Sequence, residues 1–342
     1  MDTILVRNVR EGYKVGMEHL SFIGKPEPSR AGDVIVSPHP VMTVFTQPRE
    51  RVLLNASRDA NPYFHFFESI WMLSGARDAS YLNTYVSDFT KRFADPGTTI
   101  LHGAYGHRWQ HIFYMDQLKV IIKILSEDPT SRRAVLTMWD PQSDLGGHHP
   151  DHPCNTNIFF RVNNGLLDMM VNCRSNDIVW GLYGANAVHM SMMQEYLAAA
   201  IDMEVGRYYQ NSWNFHAYRN IFEKLLPGVN DTTWCAPYEG RIYPLVDNSK
   251  EFIRDCEIWV SDNAYDVCMN SIFMNVAVPM QLSFDSYKRR DFKHALKYAS
   301  EIQSDDWRMA CTEWLGRRIE KHERSHDRRE EPVSRAAESG EG

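Results

Sequence analysis

His152-Pro-Cys-Asn-Thr-Asn157 runs on into Ile158-Phe-Phe-Arg-Val162, the tripeptide Asn163-Asn-Gly165, Leu166-Leu-Asp-Met-Met-Val171 and Arg174-Ser-Asn-Asp-Ile-Val-Trp-Gly181. The two apolar runs read as strands, and the Asn-Gly between them accepts the positive φ that a tight hairpin demands. The hairpin sets the Cys154 thiol ahead of one strand and the Arg174 guanidinium at the end of its partner. Ser175 adds a hydroxyl and Asp177 a carboxylate. A nucleophile beside a phosphate-shaped fork suits attack on a phosphorylated heterocycle.

Outward from the hairpin, Ala134 to Trp139 reads as another strand. Pro62 to Leu73 is nearly all apolar, and its length favours a buried helix. Glu68 is its one acid, and burial there is expected to raise the carboxyl pKa and suit it to moving protons, with a structural hydrogen bond as an equal alternative. Leu118, Ile121, Ile122 and Leu125 recur at helical spacing after Asp116, and Asp128-Pro-Thr-Ser131 ends that helix just before Arg132 and Arg133. Ala187 to Asp202 predicts a long, largely buried helix, with Asn186 as an N-cap. Further helices are expected near His216 to Leu225, Glu251 to Val260, Phe292 to Ile302 and Trp307 to His322. Strands and helices are segregated, so the class is α+β.

The 342 residues, 43% hydrophobic, can bury a full core, and residues 1–315 are expected to form one catalytic domain. From Gly316 to residue 342 the composition is charged and polar, so a disordered tail is expected. A net charge of −7 argues against a surface that binds nucleic acid through phosphate neutralisation. The six cysteines (Cys154, Cys173, Cys235, Cys256, Cys268 and Cys311) form no Cys-x-x-Cys pair, which favours a reducing cytoplasm over a disulfide framework. No signal core or membrane span is read.

Taken singly, each candidate has an ordinary reading. A lone cysteine is more often a buried small hydrophobe than a catalyst. His148, His149 and His152 lack zinc-ligand spacing and read as a solvated loop, so no metal is expected. Arg132, Arg133 and Arg174 are candidate phosphate clamps only if brought to Cys154. Tyr105 reads as core packing. His216 and Tyr218 could share one ligand if their segment is extended, but diverge if it is helical.

Together, and in this order, the segments resemble the thymidylate synthase family: Ala104-Tyr-Gly-x-x-Trp109, Asp128-Pro-x-Ser-Arg-Arg133, Pro153-Cys154, Arg174-Ser-x-Asp177, Gly181-Leu182, Met203-Glu-Val-Gly206 and His216-x-Tyr218. The resemblance runs from about Arg30 to Tyr218. It implies a six-stranded sheet packed across a homodimer interface, with 5,10-methylenetetrahydrofolate as co-substrate and transfer of its one-carbon unit to C5 of a pyrimidine deoxynucleotide. By match, Cys154 attacks C6 of the base. Arg174 and Ser175 bind the 5′-phosphate with Arg30, and Arg132 and Arg133 reach in from the other subunit. His216 and Tyr218 hold the 3′-hydroxyl, Asp177 orients the pterin, and Glu68 and Tyr105 support proton transfer. Asn186 faces the base, with Phe93 and Trp71 on the folate side.

The departures bear on the product. Asn155 follows the thiol where methylating members have His, and Asn172-Cys-Arg-Ser-Asn-Asp177 resembles the phage hydroxymethylases. Thr90 and Phe93 stand where methylating synthases carry a tryptophan pair, and the chain lacks the family's apolar C-terminal closure, so water is expected to reach the site. An amide at 186 suits uracil, as it donates to O4 and accepts from N3–H. Counting without a gap would place Ala185 there instead. The expected reaction is hydroxymethylation of dUMP in a host cytoplasm. The alternatives are thymidylate synthesis, action on dCMP, and a silent nucleotide-binding protein on the same fold.

Overall fold

The structure, a computed structural model, describes residues 1–230, 238–261 and 265–330; Cys235 and the end of the charged tail lie outside them. The strands are β1 (Asp2–Val6), β2 (Lys25–Glu27), β3 (Val34–Val36), β4 (Val41–Phe45), β5 (Val135–Thr137), β6 (Asn155–Asn163), β7 (Leu166–Cys173), β8 (Asn176–Asp177), β9 (Glu204–Ser212) and β10 (Phe215–Tyr218). Six of them form a mixed sheet in the order β1-β4-β9-β7-β6-β5, the strand count that the resemblance implied. A smaller sheet, β2-β3-β10-β8, brings His216 and Tyr218 beside Asp177.

The hairpin forms where the sequence places it. Asn164 (φ 52°) and Gly165 (φ 78°) make the turn between β6 and β7, both in the left-handed region that a two-residue hairpin requires. Along β7, Leu167, Met169 and Val171 are fully buried while Leu166 is exposed, the period of two expected of a half-buried strand. Next to the thiol, β6 is irregular: the register against β7 shifts between Asn155 and Asn157. Such bulges turn a side chain out of the strand's ordinary alternation and recur beside active sites.

The helix Pro62–Leu73 has the predicted bounds, with Asn61 capping Phe64 N and Pro62 at its first turn. The helix Gln117–Glu127 is capped by Asp116 and buries Leu118, Ile121 and Leu125. The long helix Ala187–Ala200 also forms, but Asn186 is not its N-cap. Its backbone is already helical and its side chain makes no capping bond, because a wide-turned π-helix, Ile178–Asn186, feeds directly into this helix. A π turn accommodates one more residue than an α turn. The backbone kinks at Gly184 (φ −109°, ψ −111°), between Trp180 and Asn186.

The helices Ser249–Ser261 and Val278–Lys288 pack on the buried helix, and Phe292–Ser300 packs on Val278–Lys288 in turn. Phe67 stacks between Tyr85 (4.7 Å) and Trp259 (5.6 Å), and Trp259 Nε1 donates to Tyr81 OH at 3.0 Å. This segment therefore buttresses the loop leading to Thr90 and Phe93. The expected tail boundary at Gly316 is not a break: one helix runs Asp305–Glu330. Arg317 and Arg318 both pair with Asp59, and Arg318 lies 3.7 Å over the Trp314 ring. These contacts supply the ordering that composition alone did not suggest.

Candidate active site

Cys154 sits where the bulged start of β6 meets the end of β7. Arg174 Nε donates to Pro153 O at 3.0 Å, and its Nη2 lies 4.0 Å from Cys154 Sγ. The guanidinium is thus tied to the backbone that carries the thiol. It favours the thiolate, but burial outweighs it and pushes the thiol above its ordinary range. The positive charge beside the thiol is therefore present but not dominant.

Arg174 and Ser175 open onto a cleft of about 400 Å³ that Arg30, His216 and Tyr218 also line, with Asn214 and Trp213 as residues that sequence reasoning missed. Arg30 lies on the loop between β2 and β3, closed by Ser29 N donating to Gly32 O at 3.2 Å. His216 and Tyr218 are on β10, so the extended alternative holds and the helical one fails. His216 Nδ1 lies 3.4 Å from Asn214 O, leaving Nε2 for a ligand. Arg132 and Arg133 are exposed ahead of the edge strand β5 and are absent from this cleft's lining.

Beyond the thiol, Tyr105 OH accepts from Asn155 N at 3.2 Å, and burial keeps the phenol protonated. It is a hydrogen-bonding member of the site, not the plain core residue that its sequence context suggests. Asn155 Nδ2 donates to Asn186 Oδ1 and Asn186 Nδ2 to Asn176 Oδ1, both at 3.4 Å, while Gln210 Nε2 donates to Asn155 Oδ1 at 3.4 Å. This chain of amides fixes which end of each faces which neighbour. Asn186, rather than Ala185, belongs to it. Asp177 accepts from Val179 N at 2.8 Å, and burial raises its carboxyl while His216 opposes the shift.

Glu68 Oε2 lies 3.0 Å from His189 Nε2, a partner that the sequence did not reveal because it comes from the helix Ala187–Ala200. Trp71 is buried, with its indole N–H donating to Asp78 O at 2.8 Å, so it packs behind the wall instead of presenting a free face. Phe93 is 40% exposed and packs on Phe89 at 4.9 Å. Thr90 is held by Asn83 through both its backbone N–H and its hydroxyl, each at 3.1 Å.

The histidine loop is not simply solvated. His149 stacks on His102 at 3.6 Å, and His102 Nε2 lies 2.7 Å from Asp144 Oδ1. His102, Asp144 and His152 converge within 4.8 Å. Arg108 already meets both Asp144 oxygens at 2.8 Å, so a guanidinium supplies the positive charge there. A half-buried carboxylate that sequence reasoning passed over, Asp151, precedes the thiol on this loop. Burial raises it to about 6, and it shares fields with Glu68, Arg174 and Cys154.

Residues 13–238 match the thymidylate synthase family. The chain belongs to that family. Among its relatives, it is 40% identical over 334 residues to a deoxyuridylate hydroxymethyltransferase of Pseudomonas phage M6, covering 93% of this chain and 95% of the relative. It is 34% identical over 225 residues to the deoxyuridylate hydroxymethyltransferase of Bacillus phage SP01, covering 63% and 58% of the two chains. For the one of Delftia phage PhiW-14, identity is 29% over 207 residues, covering 58% and 57%. The family match ends at Tyr238, so the buttressing helices beyond it lie outside the shared thymidylate synthase region. The similarity to the Pseudomonas phage protein extends well past that point.

Proposed function

We propose that this thymidylate synthase family member is a deoxyuridylate hydroxymethyltransferase: it joins the one-carbon unit of 5,10-methylenetetrahydrofolate to C5 of dUMP and adds water, giving 5-hydroxymethyl-dUMP. The observation that carries this is the placement of the Cys154 thiol beside the Arg174 cleft together with the Asn155-Asn186-Asn176 amide chain. The relative that spans nearly the whole chain bears the name of that activity.

In this reading Arg174, Ser175 and Arg30 grip the 5′-phosphate, a task to which forked guanidinium donors are suited. His216 and Tyr218 hold the 3′-hydroxyl. Cys154 attacks C6 and places negative charge on C5 and O4. Asn186 donates to O4 and accepts from N3–H, in a direction fixed by Asn155 and Asn176. Glu68, steadied by His189, and Tyr105 move protons at the base and at C5. The folate supplies a carbon at the oxidation level of formaldehyde. Asp177, whose raised carboxyl is fitted to share a proton with a pterin ring, and Phe93 would hold it. Trp71 supports that wall from behind.

Val135, Phe159 and Leu166, on β5, β6 and β7, are 40 to 42% exposed. An apolar sheet face of this kind supports a homodimer in which Arg132 and Arg133 serve the partner's phosphate site. Among the described residues no helix is long and apolar enough to cross a membrane. Described cysteines that are all free fit a reducing host cytoplasm.

The test is incubation of the full chain with dUMP and methylenetetrahydrofolate, with mass analysis of the nucleotide and identification of the folate product. A gain of one CH2O unit with tetrahydrofolate is expected. A gain of CH2 with dihydrofolate would make it a methylating synthase, and turnover of dCMP alone would overturn the base assignment.

A further inference from the structure

Asp151 lies three residues before Cys154, at the mouth of the hairpin. Its Oδ2 accepts from Gly103 N at 3.1 Å, in the loop that leads into Tyr105. That approach depends on a missing side chain: a Cβ on Gly103 would stand 2.5 Å from Asp151 Oδ2 and 3.0 Å from its Cγ. Among the described residues no basic nitrogen closes an ion pair with this carboxylate, and Oδ1 has no hydrogen bond. The nearby histidine His152 is turned toward Asp144 instead, 3.9 Å away.

A half-buried carboxylate with one backbone donor and no cation in direct contact contributes little to stability. Glu68 from the helix Pro62–Leu73, Arg108 from the short turn after Tyr105, Arg174 from the end of β7, and Cys154 and Tyr105 themselves lie within electrostatic reach of Asp151. Gly103 stands just before Tyr105 in the chain, and Tyr105 OH accepts from Asn155 N beside Cys154, so the bond to Gly103 sets the Asp151 carboxyl next to the loop that carries the thiol.

We infer that Asp151 is the general base that holds and deprotonates the water added to the one-carbon unit. This rests on the proposed hydroxymethyl transfer. Before the step, Cys154 Sγ is bonded to C6 and the carbon–nitrogen bond to the folate has broken, its electron pair leaving with nitrogen. A methylene group is then doubly bonded to C5. The water oxygen bonds to the methylene carbon, the displaced π pair moves through C5 into the C4 carbonyl as an enolate, and the water proton passes to Asp151. As the enolate pair re-forms the C5–C6 double bond, Cys154 departs with the C6–S pair, and the Asp151 proton is released to the thiolate or solvent. A carboxyl raised to about 6 is ionised enough to accept that proton near neutral pH and basic enough to take it.

The experiment uses the full chain and its Asp151→Asn and Gly103→Ala variants, with dUMP tritiated at C5, methylenetetrahydrofolate and added 2-mercaptoethanol. Tritium release reports the steps up to the methylene stage, hydroxymethyl-dUMP reports water addition, and a thioether nucleotide reports methylene trapped by thiol. Binding of dUMP alone shows that each variant is folded. Asp151→Asn is expected to keep dUMP binding and tritium release, lose ~10²-fold or more in hydroxymethyl product, and gain thioether. The acid limb of product formation near pH 6 should vanish. Gly103→Ala, which leaves the carboxyl in place but displaced, is expected to show the same redistribution in milder form. Unchanged product with the acid limb intact in Asp151→Asn would overturn the assignment. So would equal loss of tritium release and product in both variants. If the unaltered protein makes thymidylate instead, the functional reading itself falls, a result that the variants do not mimic.

Discussion

Arg174 Nη2 stands 4.0 Å from Cys154 Sγ while Nε of the same guanidinium is fastened to Pro153 O. Burial raises the thiol and Arg174 alone among its named influences lowers it, so removing the guanidinium leaves only groups that disfavour thiolate. Arg174→Gln is expected to move the midpoint of Cys154 alkylation to higher pH. A unit charge at 4 Å is worth about 1 kcal/mol in water, so alkylation at pH 8 should slow roughly fivefold. Iodoacetamide labelling followed by peptide mass analysis measures this. An unmoved midpoint would show that the guanidinium serves phosphate alone.

The amide chain makes a separate claim about the base. Asn186 accepts from Asn155 and donates to Asn176, so its orientation is imposed before any nucleotide arrives. In the proposed reading Asn186→Asp replaces the donor to O4 with an acceptor, which leaves a buried oxygen facing an oxygen. Turnover of dUMP should fall by about 10- to 100-fold and dCMP should become a substrate. Competition between the two nucleotides in one assay reads both directions together. Retained preference for uracil would place the selecting group elsewhere.

Much of this site was legible in the sequence because its elements are local. The hairpin is announced by Asn164-Gly165, the helix at Pro62 by its apolar run and length, and the extended His216-x-Tyr218 by the family order. What was not legible depends on contacts between distant segments. His189 is separated from Glu68 by more than a third of the catalytic domain, and nothing in either sequence neighbourhood names the other. Asp151 sits among three histidines, and its hydrogen bond comes from Gly103, on the distant loop that leads into Tyr105. The helix beyond Gly316 looked disordered because its composition is polar; Asp59 and Trp314 hold it in place.

Beneath the thiol loop, Arg108 and Asp144 form a buried pair with side chains 3% and 0% exposed. Removing one partner strands the other's charge, so Asp144→Asn is expected to cost about 3–5 kcal/mol at pH 7. Asp144 is held below its ordinary value by Arg108, the Asp140 backbone and His102 against the opposing effect of burial. A depressed carboxyl gives stability that is present above the unfolded value and lost as pH falls through the folded one. The gap between the two proteins in urea unfolding should therefore shrink only in acid. A gap that persists unchanged at pH 3 would mean that shape rather than charge is responsible.

Asp151 behaves oppositely, and its sign is diagnostic. Its carboxyl is raised from 3.8 to about 6, so between those values the folded chain binds a proton that the unfolded chain has released. Stability conferred on the protonated form is full below the unfolded value and declines as pH rises through the folded one, by on the order of 3 kcal/mol if the whole shift is expressed. An amide at this position carries no charge to bury, so Asp151→Asn should unfold at higher urea than the unaltered protein at pH 8 and at nearly the same urea at pH 4. A structural carboxylate would do the reverse, since losing it would weaken the fold most where it is ionised. Greater stability with slower water addition would mark Asp151 as a group held at a cost for chemistry, whereas a variant less stable at pH 8 than at pH 4, relative to the unaltered protein, would return it to the scaffold.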